Sequence, residues 1–193
     1  MPCLVRVALS AAALVFVTTI SNAGPFGLEF GQPISKLKVV QNLGDNSYIV
    51  AAPTPNSEFV QYGVYAAPGY GVCRIVGFGK DHDGDASGIE IRQVFEGLKT
   101  ALTEKYGSST NVYDFRHSGT IWSGWNDFAM GVKLNEITLA ASWDPGNYPG
   151  GISNIMLEVG ARTSTTTYVT LAYESANMKQ CHAGSEEKDK NAL

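Results

Sequence analysis

Charge is scarce in this sequence, and no sign of it dominates strongly. Charged residues make up 17% of 193 positions, with 14 Lys and Arg against 18 Asp and Glu, a formal charge of −4 and a pI of about 5.3. No basic excess is available to follow a phosphate backbone, so no nucleic-acid partner is expected. Histidine is rarer still: His82, His117 and His182 are all there are. The chain lacks a Gly-x-Ser-x-Gly elbow, a His-Glu-x-x-His pair, a Cys-x-x-Cys pair and an Asn-x-Ser/Thr sequon. The commonest hydrolase, zinc-protease, redox and N-glycosylation signatures are therefore missing. Gly77-Phe78-Gly79-Lys80 has the end of a phosphate-binding loop but not its start, because Arg74 stands where the earlier Gly belongs and Asp81 follows the Lys. With 44% hydrophobic residues the chain is nevertheless too apolar to stay unfolded, and its length suits one domain.

One long apolar run exists, and it lies at the start. Val7 to Ile20 follows a short segment carrying Arg6, and Ser21-Asn22-Ala23 places small residues at −3 and −1. The run falls short of the ~20 residues that span a bilayer as a helix. Residues 1–23 thus read as a cleavable signal peptide, which implies a periplasmic or secreted protein without a membrane span after cleavage. Removing 23 residues from 193 leaves 170, and losing Arg6 takes the charge to −5.

Of three cysteines, Cys3 leaves with that segment, while Cys73 and Cys181 remain. An even pair in an exported chain predicts one disulfide, closing a loop of over 100 residues.

Hydrophobic periodicity divides the rest. Phe26 to Gly31 reads as a short strand. Pro33 opens a helix with Ile34, Leu37, Val40 and Leu43 on one face and Gly44 as its stop. Strands are predicted over Ser47–Ala52, Phe59–Ala66 and Val72–Gly79, the last pointing Cys73 and Ile75 to one inward face. Ser87 with Glu90 resembles a capping box for a helix running through Ile91, Phe95, Leu98, Leu102 and Tyr106 to Gly107. Strands follow at Asn111–Arg116 and Thr120–Trp122. Residues 125–132 fit both periods and are read as a short helix. Glu136–Trp143, Ile152–Gly160 and Thr166–Glu174 are further strands, and Asn177 caps a terminal helix bearing Met178 and Cys181. Short loops favour antiparallel pairing. The expected fold is a single α+β domain over 24–193, mainly an antiparallel sheet with two to four helices packed on it and a partly solvated tail.

Three groups of residues could carry chemistry. Asp81-His82-Asp83-Gly84-Asp85 gathers three carboxylates, but its Gly and following Glu are misplaced for a calcium loop. It reads as an exposed strand-to-helix connection, and no metal or cofactor is expected. Asp114, His117 and Ser118 supply the atoms of a hydrolytic triad, although adjacency in sequence is not triad geometry. Trp122, Trp125 and Trp143 could form an aromatic platform for a small ligand, or part of the core.

The order of several segments resembles a group of small exported bacterial proteins of unknown function. The matching segments are Gly27-Leu28-Glu29-Phe30-Gly31, Gly71-Val72-Cys73, Glu104-Lys105-Tyr106-Gly107, Ser118-Gly119-Thr120-Ile121-Trp122, Ile155-Met156-Leu157-Glu158 and the Cys-bearing tail ending Ala192-Leu193. The resemblance implies export and one domain, supports pairing of Cys73 with Cys181, and brings no activity. The function expected is a non-enzymatic binding or envelope-accessory module for an envelope protein or cell-wall component. A small hydrolase and a small-ligand carrier are the alternatives.

Overall fold

The computed structural model describes residues 24–183. The signal-peptide reading and the far tail lie outside these residues. Nine strands pair antiparallel: β1 (Val39–Gly44), β2 (Ser47–Val50), β3 (Phe59–Ala67), β4 (Gly71–Gly79), β5 (His82–Asp83), β6 (Asn111–Arg116), β7 (Ile137–Trp143), β8 (Ile152–Ala161) and β9 (Thr166–Ser175). Their order is β1-β2-β3-β4-β9-β8-β7-β6, with the short β5 pairing beside this path on β9. Two four-strand meanders therefore meet along one seam, β4 against β9, where Arg74 to Phe78 pair with Glu174 to Thr170.

Period-two alternation decides which side chains are buried. Ile155, Leu157 and Val159 of β8 and Val169, Leu171 and Tyr173 of β9 enter one core with Val64, Ile75 and the fully buried Trp143. Helix α1 (Ile89–Tyr106) adds Ile91, Phe95 and Leu102 to that core, and α2 (Phe128–Lys133) adds Phe128 and Val132. The short-helix reading of 125–132 thus corresponds to α2, which begins at Phe128.

Several expected elements differ. Ile34 to Lys36 form one 3₁₀ turn, and the chain then enters β1. Gly44 does not stop a helix there. Asp45 and Asn46 take positive φ (47° and 60°), as both central residues of a type I′ turn must, and Gly44 pairs with Ser47 across a tight hairpin. Phe26 to Gly31 is not a strand. Pro25–Gly27 makes a 3₁₀ turn that sets the Phe26 ring 4.8 Å from Tyr62 and 5.3 Å from Phe59. Thr120–Trp122 is loop, because the Arg116 guanidinium and the Glu136 carboxylate take up its polar groups instead of a neighbouring strand.

Ser87 does not cap α1. Gly88 precedes the helix with φ of 75°, a conformation that glycine suits, and an added Cβ would meet the Phe128 ring. The Asp85 carboxylate reaches past this bend and accepts the N–H groups of Glu90 (3.1 Å) and Ile91 (2.9 Å).

Cys73 does not share a face with Ile75. Tyr65 pairs with Arg74 and Ala66 with Val72, so Cys73 is the extra residue of a bulge. It turns into a separate buried cluster with Ala67, Met178 and Cys181. Residues 178–183 are helical, and Cys73 and Cys181 are joined by a disulfide with Cα atoms 6.6 Å apart.

Candidate functional site

The expected polar candidates are dispersed by strand geometry. On β6, Tyr113, Phe115 and the following His117 lie along one face, with successive ring contacts of 6.5 and 4.8 Å. His117 Nε2 is 3.0 Å from the Thr138 hydroxyl on the same face. Asp114 faces the other way and holds the Arg92 guanidinium of α1 in a bidentate pair, at 2.8 and 2.9 Å. Ser118 sits exposed in the turn after the strand. The sheet therefore separates Asp114 from His117, and no nucleophile–base–acid chain joins the three.

The acidic loop is divided in the same manner. Asp81 pairs with Arg162 at 2.6 Å, Asp83 accepts from the Thr166 hydroxyl at 2.8 Å, and Asp85 serves α1 and Thr167. His82 is buried, with Nδ1 2.8 Å from Glu90. Among the described residues no group of three His, Cys, Asp or Glu converges on a metal-sized site. The Asp81 hydrogen bond also raises the Arg162 pKa above its ordinary value.

The three tryptophans do not form one platform. Trp143 is in the core and donates its indole N–H to the Gly107 carbonyl at 2.7 Å. Trp125 is 75% exposed. Trp122 is partly exposed, and its indole N–H has no acceptor among the described residues. Trp143 lies beyond the β7 residue that pairs with Asn111, whereas Trp122 is fastened to Arg116 at the opposite end of β6.

What the fold assembles instead is an apolar and aromatic edge. Val112, Tyr113, Phe115, Ile121, Trp125 and Leu134 are all exposed, and they belong to β6 or to the segment between it and β7. The loop that carries Ile121 and Trp125 is ordered by its own polar groups. The Arg116 guanidinium donates to the Trp122 carbonyl, Glu136 accepts the Ile121 N–H at 3.2 Å, and Asp127 accepts the Gly124 N–H at 2.7 Å. Trp125 shares a cleft of about 400 Å³ with Arg92, Arg116 and Phe128, and the Arg92 guanidinium lies 4.7 Å from the Phe128 ring centre. Asp114, His117 and Ser118 lie in this region, and the signal in the sequence for the edge itself is the run of apolar side chains at Val112, Tyr113 and Phe115.

The two ends of the sheet are not equivalent. β1 pairs with β2 through two register shifts, which bend an edge away from further pairing. β6 pairs with β7 in unbroken register over all six residues, and contains neither Lys nor Pro. Among the described residues no strand pairs with its outer side, which also carries the charged Asp114 and Arg116.

No helix among the described residues is long and apolar enough to cross a membrane. No protein-family model, curated protein or solved structure matches the chain.

Proposed function

We propose that the chain is an exported, non-enzymatic binding module of a bacterial envelope, periplasmic or secreted after loss of residues 1–23. Its domain is α+β, with α1 and α2 backing the sheet. It takes an extended segment of an envelope protein as an added strand on β6. The observation that carries this reading is the unbroken β6 edge, unpaired on its outer side and flanked by exposed Tyr113, Phe115, Ile121 and Trp125. Backbone pairing supplies affinity in such additions, while pockets for alternate side chains supply selectivity. Aromatic and arginine side chains suit the anchoring positions of a protein interface. The disulfide supports an oxidising compartment. Separation of Asp114 from His117 gives a hydrolase no support, and burial of Trp143 gives none to a three-tryptophan carrier.

The test is site-specific photocrosslinking from position 115, with position 60, also exposed, as the control. One identified envelope protein should be captured from 115 alone. Its purified form should then bind the wild-type chain, and Phe115→Lys should weaken that binding at least about tenfold. Capture of a second copy of this chain, equal capture from position 60, or unchanged binding by Phe115→Lys overturns the reading. So does a hydrolytic activity that His117→Ala abolishes without changing the melting temperature.

A further inference from the structure

The hydrogen-bond register fixes which groups of β6 an added strand meets. The His117 N–H donates to the Glu136 carbonyl at 2.8 Å, and the β6–β7 register runs back from there without a break. Backbone groups of successive strand residues point to alternate sides. Tyr113, Phe115 and His117 therefore direct theirs at β7. Val112, Asp114 and Arg116 direct theirs outward, where no strand pairs among the described residues. Side chains alternate between the two faces with the same period. Those of Asp114 and Arg116 lie on the α1 side, where Asp114 holds Arg92. Directly opposed residues share a face. A residue opposite Arg116 thus faces the α1 side, and its neighbour opposite Phe115 faces the other.

The cleft of about 400 Å³ lies on the α1 side, where Arg116 lines it with Arg92, Trp125 and Phe128. Its two guanidiniums stand against two carboxylates. Asp114 pairs with Arg92, and Asp127 accepts the N–H of Gly124 in the cleft wall. Glu136 is engaged by Thr120 and Ile121 and is no part of the lining. An ionised side chain entering the cleft would therefore lose its hydration without a matching countercharge. What the cleft offers is ring faces and guanidinium planes. Trp125 is 75% exposed in a loop held by its own hydrogen bonds. Guanidinium already lies over a ring here, with Arg92 4.7 Å from the Phe128 centre. The Arg116 guanidinium donates to the Trp122 carbonyl and has no ion-pair partner among the described residues. Rings stack on such planes and on indole faces.

We infer that the segment received by β6 carries an aromatic side chain opposite Arg116, seated against Trp125 and the Arg116 guanidinium. The next residue is apolar and lies beside Phe115 on the other face. This inference rests on strand addition at β6 and names the side chains that such a strand presents. The segment is apolar on both faces at this point, so it reads as an apolar pair and not as strict alternation.

The probes are capped octapeptides, Lys-Thr-Val-Thr-X-Val-Thr-Lys, with Phe, Ala or Glu at X. Each is titrated into the chain, disulfide intact, and followed by NMR. The Phe peptide should shift the Asp114 and Arg116 amides and the Trp125 indole N–H. It should bind about tenfold more tightly than the Ala peptide, which shifts the same amides but not the indole. Trp125→Ala should cut that preference to under about threefold. The wild-type indole shift locates the ring even if this variant fails to fold. Equal affinity for the Phe and Ala peptides, tighter binding of the Glu peptide, or an unmoved Trp125 indole overturns the aromatic anchor. Amide shifts at Asp114 and Arg116 in those outcomes leave strand addition standing. Shifts at neither residue with any peptide overturn the anchor as well, and capture from position 115 then decides strand addition separately.

Discussion

The Asp85 carboxylate accepts from three donors at once: the N–H groups of Glu90 and Ile91 and the Thr167 hydroxyl. It is 6% exposed, so water cannot replace it. Asp85→Ala should destabilise the protein by about 2–4 kcal/mol in urea unfolding, whereas Ser87→Ala should stay within about 0.5 kcal/mol. Ser87 with Glu90 has the spacing of a capping box. Gly88 bends the chain and hands the role to an acid farther upstream, which spacing alone does not reveal. Tyr173 makes a second prediction. Burial, with the neighbouring Tyr106 adding to it, pushes its phenol well above the ordinary value. The unfolded chain releases that proton near pH 10, earlier than the folded one. This stabilising contribution is therefore complete below about pH 10 and declines as pH rises past it. Melting temperatures from pH 8 upward should show a weaker alkaline decline in Tyr173→Phe. For the tryptophans, Trp125→Phe should remove most iodide-quenchable fluorescence, and Trp143→Phe should remove the blue-shifted component.

Strands and helices were legible where one period was unambiguous. Alternation in β3, β4, β8 and β9 and the helical stripe of α1 place those elements within a residue or two of their observed bounds. At the first hairpin, turn chemistry overrides periodicity. Ile34, Leu37, Val40 and Leu43 have helical spacing, yet Asp45 and Asn46 close a hairpin and draw Val39–Gly44 into the sheet. Val40 and Leu43 end up exposed. The bulge at Cys73 likewise breaks a face assignment that strict alternation supports. The candidate site was less legible, since Phe115 and Trp125 look like core residues until the strand order puts β6 at an edge. That order also predicts amide exchange. Arg74–Phe78 and Thr170–Glu174, at the central seam, should exchange slowest, and β1 and β6 faster by mass spectrometry.

At the scale of the molecule, 108 residues separate the two disulfide-bonded cysteines. Loop-closure entropy for such a span gives a stabilisation of about 4–5 kcal/mol. Cys73→Ala with Cys181→Ala should accordingly lower the urea midpoint, by an amount corresponding to about 2–5 kcal/mol. Titration of the denatured, unreduced wild-type chain should find neither Cys73 nor Cys181 as a free thiol. The seam has a further effect on the order of events. β4 is complete at Gly79, but its partner on the open side is β9, which begins at Thr166. Until β9 has emerged, the first meander keeps a bare edge at β4, and Cys73 beside it stays unpaired until Cys181 follows. A chain stopped between Gly79 and Thr166 is thus left with an exposed strand edge open to pairing with other chains and with Cys73 unpaired. Once β9 and Cys181 are in place, the β4 edge is paired and the thiol is bonded.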